Sequence, residues 1–294
     1  HYHFLFTRWV LEMLWLADRT ADKAFADLLS PYAELLVRRC WFLLVYDEVT
    51  NDWQIPLVGD ISPDCPPDWL VGLPWSTLAC RVHRPAFLPT PPSVGGWAQL
   101  FGQDHGKAKG MSNGTELFPL SGWLKIVHCP WTVFARAEST DGCLVAGHGH
   151  SDLMSFVLYH KGQPLIIDPG RSDYTGSEVS SYGVSVRAHN TMLLNGCAPT
   201  SELQWASSSY RAVQVACAVD CHLDQTIVTI QHDGFMRFSS DQVTHTRELR
   251  LTSSRFDVID QVGGGGIHDV SLRFHFAPKL RFEDSGGGRW EDAA

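Results

Sequence analysis

No two cysteines in this chain are spaced as CxxC. Its eight cysteines, Cys40, Cys65, Cys80, Cys129, Cys143, Cys197, Cys217 and Cys221, lie scattered along 294 residues. That spacing speaks against a zinc ribbon or a thioredoxin-type site, and the thiols read as small buried hydrophobes leaning toward a reducing compartment. No apolar run reaches the ~18–20 residues that span a bilayer. The longest, Trp41 to Tyr46 with its flanks, is broken by Arg38, Arg39 and Asp47. A basic n-region is also missing: His1-Tyr2-His3-Phe4 opens inside an amphipathic pattern, so the expectation is a start in the middle of a fold, without a signal peptide. Basic charge is in short supply. A formal charge of −9 argues against a general nucleic-acid binder and requires that any polyanionic substrate be held by a local basic pocket. No internal repeat is visible.

What is present fits a globular chain of one or two domains, with 44% hydrophobic and 19% charged residues. Eleven Trp and fifteen Phe are many for this length; each serves either as core or as a platform for a sugar ring. Apolar residues recur at helical spacing through Phe4, Trp9, Val10, Met13, Leu14 and Leu16, and again from Ala21 to Phe42, so residues 2–48 read as an antiparallel helix pair. Both helices are apolar over a wide face, as in a larger helical assembly. Nine of sixteen prolines fall between Pro56 and Pro92, an irregular wrapping segment with a short helix near Asp68–Leu73. Gly95 to Thr115 is Gly-rich and marks the boundary, giving domains 1–105 and 106–294.

Beyond Glu116 the period changes to two. Strands are expected at Trp123–Val127, Thr132–Ala137, Ser155–His160, Pro164–Asp168, Thr191–Leu194 and Ala212–Val219, then at Gln225–Gln231, Thr246–Leu251, Phe256–Val262 and Val270–Phe276. Lys161-Gly162 and Gly263–Gly266 supply turns. So many short strands without helical pattern between them predict an all-β antiparallel sandwich, and the chain as a whole an α+β multidomain fold.

Chemistry concentrates in three segments. In Gly147-His148-Gly149-His150-Ser151-Asp152, alternate residues of an extended stretch share a face, placing two imidazoles and a carboxylate together. That set suits a metal or acid–base work, or a hydrogen-bonded structural cluster. The apolar strand Pro164–Ile167 ends in Asp168-Pro169-Gly170, at a sheet rim. Arg187-Ala188-His189-Asn190-Thr191 adds another imidazole ahead of a strand. A cupin is a weak alternative, because its pattern needs a Glu four or five residues after the second His, where Met154 and Ser155 stand.

Read together, GHGHSDLMSF (147–156), GQPLIIDPG (162–170) and AHNT (188–191) resemble the signature of the heparinase II/III polysaccharide lyases, in its order. Phe118–Trp123, His245–Leu249, Asp260–Val262 and His268 resemble other parts of that family's sandwich. The resemblance implies the end of an (α/α) toroid followed by an antiparallel β-sandwich, and β-elimination on uronic-acid polysaccharide. It implies a structural divalent metal, zinc by ligand type, on His150, Asp168 and His189, with His148 facing the catalytic cleft. A toroid tyrosine of the family falls at Tyr46. Arg171, Tyr182 and Arg187 sit in the motif-bearing loops as substrate contacts or as ordinary surface residues. The implied partner is an acidic polysaccharide or oligosaccharide, with no nucleic acid and no membrane span. A periplasmic or secreted setting follows from the resemblance and a cytoplasmic one from the thiols. The toroid's other catalytic residues are expected upstream of His1, so the chain alone is expected to be a poor lyase. A non-catalytic relative that binds or shapes polysaccharide is the rival reading.

Overall fold

The structure is a computed structural model that describes residues 2–50, 52–60, 113–119, 121–138, 149–200, 213–237, 242–278 and 280. Most of the Pro-rich segment and of the Gly-rich boundary, the 105/106 division and His148 lie outside the described residues.

Two helices open the chain, α1 (Tyr2–Arg19) and α2 (Lys23–Phe42). They run antiparallel: His3 reaches the Leu36 carbonyl at 3.0 Å, and Cys40 meets the Thr7 hydroxyl at 3.4 Å. Phe4, Val10, Leu11 and Leu14 bury against Ala26, Ala33 and Cys40 between them. The helical reading of residues 43–48 is corrected. Val45 is fully buried and packs with Phe42 and Phe134, and the chain instead forms β1 (Val45–Asp47), paired antiparallel with β2 (Asp52–Gln54).

The sandwich follows. One sheet has the order β3-β4-β5-β6-β7, built from Gly114–Phe118, Trp123–His128, Trp131–Arg136, Phe156–His160 and Gln163–Ile166. The other is β12-β11-β10-β9, from Phe256–Gly263, Thr244–Thr252, Gln225–His232 and Val215–Cys221. All pairings are antiparallel. Burial explains why the two sheets read differently in sequence. Strands β10 and β11 alternate buried with half-buried residues, one face toward the core. Strands β4, β5 and β6 are buried almost continuously, because their second face carries α2 and β1. Lys125 illustrates that second face: buried, its ammonium donates to the Leu44 carbonyl at 2.7 Å, and burial pulls its pKa down to about 7. The Lys161-Gly162 turn has φ of 53° and 79°, the two left-handed residues that a tight hairpin needs. A Cβ at Gly162 would stand 2.2 Å from the Tyr46 carbonyl, so only glycine lets this turn meet β1.

Three further expectations are corrected. A short helix, α3 (Glu178–Val184), interrupts the β region, capped by Ser177, whose hydroxyl accepts from the Ser180 N–H. The last strand is shorter than expected: β13 is Val270–Leu272, paired with β8 (Met192–Leu194), and Phe276 then bridges to Ile166. Of the described cysteines only Cys40 is buried; Cys129 lies in the exposed β4–β5 turn and Cys221 at the exposed end of the edge strand β9.

One end of the sandwich core is polar. Arg247, with no exposed surface, forks onto Asp260 at 2.8 and 3.0 Å; His245 meets the same carboxylate at 2.7 Å and His232 at 3.3 Å. The Gly234 N–H donates to His232 Nδ1 at 3.1 Å. Burial, reinforced by the nearby His245 and Arg247, pulls the His232 pKa down to about 3; burial also lowers that of His245, against its bond to Asp260. Both histidines are therefore neutral in the fold, whereas in the unfolded chain they take up protons below about 6.5. Their contribution is complete above that pH and is lost as pH falls toward the folded values. Each lowers stability by up to ~1.4 kcal/mol per pH unit. Asp260, also lowered, acts with the same sign at more acid pH. Denaturant unfolding at pH 7.5 and 5 should show a loss of about 2 kcal/mol from His232, with a shallower slope in His232→Gln. Equal stability at both pH values would contradict this account.

Candidate functional site

The three motif segments meet at one rim of the sandwich. Strand β7 ends at Ile166, and Asp168 follows with its side chain buried. One carboxylate oxygen accepts from the Gly170 N–H at 3.0 Å, closing the Asp-Pro-Gly turn; the other stands 2.6 Å from His189 Nδ1. His189 ends a 3-10 turn, Val186–Ala188, and is fully buried. Burial disfavours its charge, but the Asp168 carboxylate outweighs this and raises its pKa.

His150 approaches from the other side, its ring centroid 5.3 Å from that of His189. Of this segment residues 149–152 are described, with a bend at Ser151, and a turn at Leu153-Met154 follows it, Met154 adopting φ 60°. The turn lets the Ser151 N–H reach the Val184 carbonyl at 2.9 Å and sets Asp152 beside Arg136 at 3.3 Å. Burial lowers the pKa of His150. Burial would raise that of Asp152, but Arg136 and the two histidines prevail and it is lowered. Both ring nitrogens of His150 and Nε2 of His189 are buried without a hydrogen-bond partner. A hydrogen-bonded structural cluster would satisfy such atoms; here only His189 Nδ1 is satisfied. Among the described residues no three His, Cys, Asp or Glu side chains stand ready to hold an ion, since Asp168 is turned onto His189.

Asn190 locks this rim together. Its amide donates to the carbonyls of Phe156 (2.8 Å) and Ile167 (2.7 Å), its N–H to Ser155 Oγ (3.0 Å), and its carbonyl accepts from Arg247 at 2.6 Å. Thr191 adds a bond to the Leu153 carbonyl at 2.7 Å. The Asn-Thr pair after His189 thus ties the motif loops to both sheets.

At the outer rim the substrate-contact candidates divide. Arg171 is largely buried, bonded to Asp60 at 3.2 Å and lying over the Tyr174 ring at 4.1 Å. Asp60 also stands 3.7 Å from His150 Nε2. Tyr182 is exposed and its hydroxyl lies 3.2 Å from the Arg187 carbonyl; the Arg187 side chain is exposed and makes no ion pair among the described residues. Tyr46 sits on β1 opposite Trp53, half-buried against the helical core. Sequence reasoning did not single out Arg136 or His275, which stand at this rim through long-range contacts, and it read Gly59-Asp60 only as resembling a loop of the family.

The family model described as Heparinase II/III-like, C-terminal, matches residues 110–290. The chain belongs to that family. Its fold is similar to a solved heparinase III gene product at TM-score 0.70 and 15% identity, covering 97% of this chain and 40% of that one. A second heparinase III crystal structure gives TM-score 0.65 at 12% identity, covering 94% and 41%. The heparan sulfate lyase HepC from Pedobacter heparinus gives 0.63 at 14%, covering 94% and 39%. At such identities the likeness is one of fold, and the chain spans about two fifths of each relative. No protein of curated function matches the sequence.

Proposed function

We propose that this chain is the metal-bearing sandwich and adjoining helices of a lyase that cleaves uronic-acid polysaccharide by β-elimination. The observation that carries the reading is the approach of His150 to the bonded Asp168–His189 pair, from three distant segments, with three buried ring nitrogens unpartnered. Imidazole and carboxylate donors suit zinc better than the all-oxygen shells of calcium or magnesium. His150, Asp168 and His189 would hold the ion, which supplies a structural cross-link among the rim loops rather than an activated water. Helices α1 and α2 fit the end of an (α/α) toroid. Phe6, Trp9, Leu16, Leu28, Tyr32 and Leu35 each expose more than half of their surface, an apolar outer face suited to packing on further helices.

Abstracting the proton beside a uronate carboxylate builds charge on that carboxylate, and a cation held against it lowers the barrier. The exposed guanidinium of Arg187 is available for this. The resemblance assigns the site-facing histidine to His148 and the toroid tyrosine to Tyr46. The test is incubation of the whole protein carrying this chain with uronate-containing polysaccharides, following near-ultraviolet absorbance of unsaturated uronides. Appearance of that product supports the reading. Binding of the polymer without product would favour a non-catalytic relative.

A further inference from the structure

Asp60 lies outside the three motif segments, beyond the β1–β2 hairpin, yet its carboxylate reaches the same pocket. Its Oδ1 stands 3.7 Å from His150 Nε2, too far for a hydrogen bond. The spacing is close to that of two donors on one tetrahedral zinc, which at bonds of about 2.0–2.1 Å lie about 3.4 Å apart. The nitrogen that faces Asp60 is also one that needs a partner. The His150 side chain is 2% exposed, and its Nε2 is buried with no hydrogen bond. His189 Nε2 is buried in the same condition, and the two rings lie 5.3 Å apart at their centroids. Where a carboxylate serves an imidazole directly, it closes to a hydrogen bond, as Asp168 does on His189 at 2.6 Å. Asp60 is instead held by two other groups. Arg171 donates to its Oδ1 at 3.2 Å and the Tyr174 hydroxyl to its Oδ2 at 2.5 Å, while the Arg171 guanidinium lies over the Tyr174 ring. Bonds of this kind orient the carboxylates that bind metals.

We propose that Asp60 is the fourth ligand of the ion, through Oδ1, and that Arg171 and Tyr174 are the positioning residues that hold its carboxylate toward His150. This rests on the proposed ion and not on the lyase activity. His150, Asp168 and His189 alone would leave a tetrahedral zinc with one open position, the mark of a site that activates water. Asp60 fills that position, and a closed shell of four protein donors is that of a structural site. The charges agree, since two carboxylates and two neutral imidazoles balance the dication in a buried pocket. The fourth donor also changes what the ion joins. The first three belong to the sandwich, between residues 150 and 189, whereas Asp60 belongs to the chain ahead of it. The bound ion therefore fastens that chain to the sandwich rim.

Cobalt(II), which enters zinc sites and reports its coordination in the visible spectrum, tests this in the whole protein carrying this chain. After chelator treatment the wild type should take up about one cobalt per chain, with the strong bands of a four-coordinate ion, and azide should leave them unchanged. Asp60→Asn keeps the shape and one acceptor oxygen but loses the charge. It should bind zinc ~100-fold or more weakly, and its cobalt spectrum should shift when azide takes the vacated position. Tyr174→Phe should weaken zinc by about tenfold and leave the spectrum four-coordinate. A wild-type cobalt spectrum that responds to azide shows an open position and overturns Asp60 as a ligand, whether or not the variant folds. So does a zinc affinity in Asp60→Asn within about threefold of the wild type. In both cases the ion itself stands. Wild-type protein that takes up neither cobalt nor zinc overturns the ion and this assignment together.

Discussion

Replacing Arg247 by Met is expected to destabilise the fold by about 3–5 kcal/mol, the usual result of leaving one partner of a buried ion pair behind. The guanidinium has no exposed surface and makes bonds to four oxygens: both of Asp260, the Met154 carbonyl at 2.9 Å and the Asn190 carbonyl at 2.6 Å. Met replaces the apolar stem but supplies no donor. The Asp260 carboxylate would keep only His245, and two buried carbonyls would lose their partner. Met154 and Asn190 belong to the rim loops, so the damage should extend from the core to the site. Replacing Asp260 by Leu as well removes the stranded charge and should return part of the loss. Denaturant unfolding of the single and double variants measures this. A single-variant loss below about 1 kcal/mol would show that the network is spread too widely for Arg247 to hold it.

This network also shows where the sequence was readable. On β11, His245, Arg247, Leu249 and Leu251 alternate inward, and the register sets Arg247 opposite Asp260 and His245 opposite His232. Period-two spacing locates the strand, and the two polar residues at its start mark a polar end to the core; their partners required the pairing. Strand β10 was legible for the same reason, whereas β4, β5 and β6, buried almost continuously, read as apolar runs. Helix α3 was not, because Ser180, Ser181, Gly183 and two valines give it little helical propensity and seven residues carry little periodicity. Strands β1 and β2 have three residues each, too few to show a period. At the site, Asp168 and His189 announced themselves by motif, and the structure sets them in contact. His275 carries no local signal, and Asp60 stood out only as part of a loop resembling one of the family. His275 reaches Asn190 from 85 positions away, and Asp60 meets Arg171 from 111. Such contacts are fixed by sheet topology rather than by any neighbouring residue.

The second large effect concerns the ion itself. An ion bound to the folded chain and not to the unfolded one stabilises it by mass action, about 4 kcal/mol when free metal exceeds its dissociation constant a thousandfold. Removing it returns His150 and His189 to a buried pocket with three unsatisfied nitrogens. A chelator should therefore lower the melting temperature by roughly 5 °C or more, and His189→Ala should melt low with or without chelator. The most direct measurement is elemental analysis of the purified protein beside His189→Ala, with thermal melting of both in chelator. The account predicts about one zinc per wild-type chain, little or none in the variant, and chelator sensitivity in the wild type alone. Wild-type protein without metal and with an unchanged melting temperature in chelator would contradict it.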